Sequence, residues 1–151
     1  MRVEESLVDG WVVTLELPDD WVVGRHPERS DTIVAGPGRG DVRPLWIAPA
    51  LLGSHSLWEV ALAAMRPYAG APETFHLTPA VLAGRGAFCW VCGDGVMNVA
   101  SWWLALDRRW AACIDYGDPD ETSAMDGVDP RDAAEPLLRG LSFARRAPTP
   151  T

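Results

Sequence analysis

The residue types able to carry chemistry are three cysteines, three histidines, a run of acids and eight tryptophans. Cys89-Trp90-Val91-Cys92 has the CxxC spacing of a redox pair. Such a pair works at a helix N-terminus, where the dipole lowers the first thiol's pKa. This one lies inside a predicted strand, where residues three apart point to opposite faces. One disulfide or one metal ion then cannot use both thiols. Cys113 falls on the third strand of the same predicted meander, which pairs with the second strand and not the first. The thiols therefore read as buried structural groups. His26, His55 and His76 sit in loops or at element ends, with no HxH, HExxH or Cys/His spacing beside them. A zinc site needs three or four converging ligands, so these read as surface or cap histidines. No Gly-x-Ser-x-Gly elbow is present. Gly36-Pro37-Gly38-Arg39-Gly40-Asp41 lacks the Gly-Lys-Ser/Thr ending of a P-loop and does not match GxGxxG. It reads as an inter-strand loop, with Arg39 and Arg43 available for an anion or a partner.

The acids and the tryptophans carry more. Asp115, Asp118, Asp120, Glu121, Asp126, Asp129, Asp132 and Glu135 face a single base, Arg131, between 115 and 135, so this stretch alone carries −7 of a net −8. Its spacing does not fit an EF-hand. It is either a solvated loop and helix start, an acidic face that steers a basic partner, or an incidental divalent-ion site. The tryptophans are Trp11, Trp21, Trp46, Trp58, Trp90, Trp102, Trp103 and Trp110. Most suit a core, where each buries a large area. Trp102 and Trp103 are neighbours on one strand and must face opposite sides. With two helices as cover, one of the pair is expected to be partly exposed, and exposed tryptophan is enriched at binding hot spots.

The elements that would position these groups follow from periodicity. Trp11, Val13, Leu15 and Leu17 alternate with Val12, Thr14 and Glu16, a half-buried strand. After a Pro18-Asp19-Asp20 turn, Trp21 to Val23 is a short run, residues 24 to 31 a polar loop, Thr32 to Ala35 a strand, and Leu45 to Ala48 another, closed by Pro49. Ser56-Leu57-Trp58-Glu59 has capping-box spacing and opens a helix over about 57 to 66, with Leu57, Val60, Ala61, Ala64 and Met65 on its buried stripe. Glu73 to Leu82, with Pro79 inside, suits an edge strand. Ala87–Cys92, Met97–Leu106 and Trp110–Tyr116 form an antiparallel meander. Its strands are apolar on both parities, so both faces need cover. Asp129 caps a second helix with Pro130 at its first position, and Ala133, Ala134, Leu137, Leu138 and Leu141 face the core. Residues 1 to 143 read as one domain and 144 to 151 as a disordered tail.

Composition sets the bounds. The 151 residues are 48% hydrophobic and 23% charged, with a pI near 4.7, which suits one globular domain. No apolar run reaches the ~18 residues of a membrane span, and the acidic N-terminus has no signal-peptide h-region. A cytoplasmic chain with reduced thiols is the expectation. The negative charge argues against nucleic acid. All 13 basic residues are arginine, and lysine and glutamine are absent. We read this as the codon bias of a GC-rich genome, such as an actinobacterial one.

Four segments, LPDDW at 17 to 21, LWIAP at 45 to 49, LAGRGAFCW at 82 to 90 and LLRGLSF at 137 to 143, give the chain a family likeness. From about 11 to 143 it resembles the PsbP-like superfamily, which includes a photosystem extrinsic protein, a Ran-binding import factor and small actinobacterial proteins and lipoproteins. The resemblance implies an α/β/α sandwich around a twisted antiparallel sheet, and a binding or assembly role without an active-site motif. Unlike the secreted members, this sequence has no lipobox cysteine or signal peptide.

Together these observations lead to an α+β fold: a mainly antiparallel sheet of six or seven strands covered by two helices. The expected function is a non-catalytic cytoplasmic accessory protein, of an inhibitor or immunity type, that binds a protein partner. Its surface would comprise Trp102, Trp103, Asp118, Asp120, Glu121, Arg39 and Arg43, with no cofactor, metal, nucleic acid or membrane involved. The competing reading is a small enzyme or ligand-binding protein with a Trp-lined pocket, using His76 or Asp115 as acid or base.

Overall fold

A computed structural model describes residues 1–39, 43–66, 77–93, 98–117 and 129–146. Among them, ten strands and two helices run in the order β1 (Arg2–Val8), β2 (Trp11–Glu16), β3 (Trp21–His26), β4 (Arg29–Pro37), β5 (Leu45–Leu51), α1 (Leu57–Met65), β6 (Leu77–Leu82), β7 (Arg85–Gly93), β8 (Asn98–Ala105), β9 (Trp110–Gly117), α2 (Pro130–Leu138) and β10 (Ser142–Arg145). Seven strands form one antiparallel sheet in the order β3-β4-β5-β9-β8-β7-β6, and β1-β2-β10 form a second, smaller one. This is the α+β fold with a mainly antiparallel seven-stranded sheet that the meander and the two helices implied.

Both faces of the large sheet are covered, as its two-sided apolar strands require. One parity of the strands, with Ile33, Ala35, Leu45, Ile47, Ala100, Trp102, Leu104, Ala112 and Ile114, shares a core with Val13 and Leu15 of β2 and with Ala134, Leu137 and Leu138 of α2. The opposite parity supplies Trp90 and Trp103, which pack with Ala61 and Met65 of α1. Trp102 and Trp103 are therefore both buried, at 6% and 8% exposure. The partial exposure expected of one of them is corrected. The small sheet shares the first face with α2, and so adds cover that two helices alone would not give.

Local chemistry explains several boundaries. Asp9 and Gly10 take φ of 50° and 82° between the paired ends Val8 and Trp11. Two positive φ values make the turn that matches strand twist, so β1, unread in the sequence, folds back on β2. The polar residues 24 to 31 are not a loop but the tip of the β3–β4 hairpin, where Val23 pairs with Ala35 and Arg25 with Ile33. An edge strand tolerates such polarity because one of its faces and its outer rim stay wet. Pro49 does not close β5. The β4 ladder ends at Ile47, so Pro49 sits where β5 pairs only with β9 and its missing N–H costs no ladder bond. Ser56 caps α1 by accepting from the Glu59 N–H at 3.2 Å. The Glu59 carboxylate turns instead to His55 Nδ1, 2.9 Å away. Ala144 and Arg145, expected in a tail, instead pair with Val12 and Trp11 in β10. Residues 147 to 151 lie outside the described residues.

Candidate functional site

Strand directions gather several of the singled-out residues at one end of the large sheet. There β4 ends at Pro37 and β5 begins at Leu45, while β9 ends at Gly117. The Gly117 N–H donates to Pro44 O at 2.9 Å and the Gly38 N–H to Asp20 O at 2.8 Å. Arg39 is exposed at this end. Arg43 is half-buried, and its Nη1 donates to Pro37 O at 3.1 Å. The acidic stretch thus leaves the sheet beside the loop that carries both arginines. Asp118, Asp120, Glu121 and His76 lie outside the described residues.

Trp46 occupies the same corner. Its neighbours Leu45 and Ile47 are buried at 1% and 0%, so alternation aims the indole at the other face. It remains 36% exposed. Its Nε1 donates to Arg43 O at 2.7 Å, and the His26 ring meets it edge-on, centroids 4.9 Å apart. The other half-exposed indole, Trp58 at 43%, lies off the Leu57/Val60/Ala61 stripe of α1 and meets Phe88 edge-on at 5.1 Å. Trp46 and Trp58, rather than Trp102 or Trp103, are therefore the exposed indoles among the described residues. Both were legible: one from strand alternation between two core residues, the other from helical spacing.

Directly across from Trp46 lies Asp115 of β9, which pairs in turn with Ser101 of β8. On this face Asp115 Oδ1 accepts from the Ser101 hydroxyl and from the Cys113 thiol at 3.5 Å. Burial pushes the Asp115 carboxyl above the usual carboxylate range, against the lowering effect of those two donors. Burial, and then the charge of Asp115, also pushes the Cys113 thiol well up. Cys89, on the opposite face, is raised to about 11 by burial. A thiol held protonated is a poor nucleophile, so the trio makes hydrogen bonds rather than a nucleophile–base pair. Alkylation checks this directly. Cys89 in the folded protein should react with iodoacetamide at pH 8 about 100-fold more slowly than in the unfolded chain, since each unit of pKa costs about tenfold in thiolate, and Cys113 should be slowed as well. Equal rates, followed by mass spectrometry of the cysteine peptides, would contradict the assignment.

Among the described residues no group of three or more histidines, cysteines or acids converges on a metal position, and no helix is long and apolar enough to cross a membrane. The layers define an α+β protein whose seven-stranded antiparallel sheet lies between one helix and a shared layer of helix and small sheet. That fold is similar to the crystal structure of LpqN, involved in cell envelope biogenesis of Mycobacterium tuberculosis. The TM-score is 0.58 at 18% identity, over 95% of this chain and 91% of that one. A crystal structure from Bacteroides thetaiotaomicron aligns with 89% of this chain and 45% of its own, at 12% identity and a TM-score of 0.46. No protein-family model and no curated protein matches the sequence. At 18% identity the likeness defines the fold, and the site is argued from the residues.

Proposed function

We propose that the chain is a non-catalytic accessory protein that binds a protein partner at the sheet end where Arg39, Arg43, Trp46 and the start of the acidic stretch meet. The observation that carries this reading is Trp46, an indole 36% exposed on a sheet that buries Trp90, Trp102 and Trp103. Aromatic anchors of this kind dominate binding energy at interfaces. Net charge of −7 between residues 115 and 135 would steer a basic partner toward it. The sequence resemblance to the PsbP-like superfamily, which implies binding or assembly, supports an accessory role over a catalytic one. A cytoplasmic location is part of this reading, supported by the free thiols of Cys89 and Cys113 and to be checked by fractionation.

The test is affinity capture from native lysate with the wild type and with a variant carrying Asp118→Arg, Asp120→Arg and Glu121→Arg. The wild type should hold a stoichiometric partner at low salt and release it at high salt, because screening weakens charge contacts within a Debye length of roughly 10 Å. The variant should hold none at either. Equal capture by both proteins, or no partner at all, would overturn the reading.

A further inference from the structure

We infer that Trp46 and Asp115 form a seat for one basic side chain, arginine or lysine, of the protein partner; this rests on the partner-binding reading above and names what the partner brings. The two residues are directly opposite on β5 and β9. Such pairs share a face with Cβ atoms about 5 Å apart, and neither side chain is fully buried. The Asp115 carboxyl is half satisfied. Its Oδ1 takes both neutral donors, Ser101 and Cys113, and among the described residues no arginine lies within ion-pair distance of it. The Trp46 N–H is already spent on Arg43 O, so the indole offers its π surface, which attracts cations.

Elsewhere the chain already sets an arginine over an indole that stands beside an acid. The Arg85 guanidinium lies 5.2 Å from the centre of the Trp11 ring, and the Trp11 N–H donates to Asp107 Oδ2 at 2.9 Å. At Trp46 and Asp115 the indole and the acid stand together, and the described residues supply no cation between them. The negative charge that begins three residues beyond Asp115 favours a cation arriving from outside.

The probe is N-acetylarginine methylamide, titrated against the isotope-labelled protein while the Trp46 indole N–H resonance is followed. N-acetylcitrulline methylamide, of the same shape without the charge, is the control. The arginine probe should shift Trp46 saturably and bind at least about fivefold more tightly than the citrulline probe. Asp115→Asn, which keeps a carbonyl for Ser101 and Cys113, should weaken arginine binding by a similar factor while the rest of the spectrum is retained. Trp46→Leu, read at the Gly117 amide, should lose the preference for charge. Equal binding of the two probes, no saturable shift, or an unaffected Asp115→Asn would each overturn the seat. If the probe fails while Trp46→Ala still loses the captured partner, the surface stands and the basic seat falls; if Trp46→Ala keeps the partner as well, the partner-binding reading falls with it.

Discussion

Replacing Trp102 by alanine is expected to destabilise the folded protein by about 3–5 kcal/mol, the cost of removing a large buried aromatic side chain and leaving a cavity. Trp102 lies in the central strand β8, in register with Cys89 on one side and Ile114 on the other. It is 6% exposed within the core that the large sheet shares with β2 and α2. No neighbouring backbone can collapse into the gap, because β7, β8 and β9 are pinned by continuous ladders. Trp46→Ala, on the open side of the same sheet, should cost far less, since a half-exposed side chain has already kept part of its hydration. Urea unfolding of the two variants gives the comparison. A loss below about 1 kcal/mol for Trp102→Ala would mean that the indole is not part of a close-packed core.

Asp107→Ala should cost about 3 kcal/mol, because one carboxylate joins three parts of the molecule. Its Oδ2 accepts the Trp11 indole N–H at 2.9 Å, and its Oδ1 accepts the backbone N–H groups of Arg109 and Trp110, each at 2.8 Å. Arg145 of β10 stands 4.0 Å away. The carboxylate therefore closes the β8–β9 turn and holds the small sheet to the large one. Alanine leaves the Trp11 N–H, on a side chain only 7% exposed, without its acceptor. The Trp11 hydrogen bond, followed by the two backbone bonds and the nearby Arg145, holds the Asp107 carboxyl below the usual range against a raising contribution from burial. Its stabilising contribution is then complete above the ordinary carboxylate pKa of about 4 and is lost as pH falls through the folded value. The variant should show a smaller loss of stability than the wild type as pH falls below about 4, and parallel acid titrations would contradict this role.

Much of the fold is written in local pattern. The capped helices, the meander and the inward alternation of β2 follow from spacing, and α2 buries Ala134, Leu137 and Leu138 as the stripe required. What pattern did not reveal has two physical causes. The β1–β2 hairpin was present as Asp9-Gly10, a turn pair whose positive φ values a short acidic N-terminal segment obscured. The second sheet, by contrast, depends on Ala144 and Arg145 pairing with β2 some 130 residues earlier in the chain, and no local period records that. The polar tip of the β3–β4 hairpin was lost for a similar reason: pattern cannot distinguish an edge strand from a loop when both are wet.

The site was legible in its chemistry and misplaced in its geometry. Adjacent residues on a strand must face opposite sides, which is true of Trp102 and Trp103. Their exposure, however, depends on the area covering each face. The small sheet and α2 bury Trp102, and α1 buries Trp103 together with Trp90. Strand alternation likewise identifies Trp46, whose neighbours Leu45 and Ile47 turn into the core. Asp115, read as a candidate acid, lies in register between Trp46 and Ser101, a row of three strands concealed by the 69 residues of sequence that separate Trp46 from Asp115.

The most direct test of the account is the affinity of the captured partner for Trp46→Ala and for Trp58→Ala, two exposed indoles of which only the first pairs across the sheet with Asp115. The account predicts that Trp46→Ala weakens binding at least ~30-fold, the effect of a hot-spot residue worth about 2 kcal/mol, while Trp58→Ala binds as the wild type does. Undiminished binding by Trp46→Ala would contradict it.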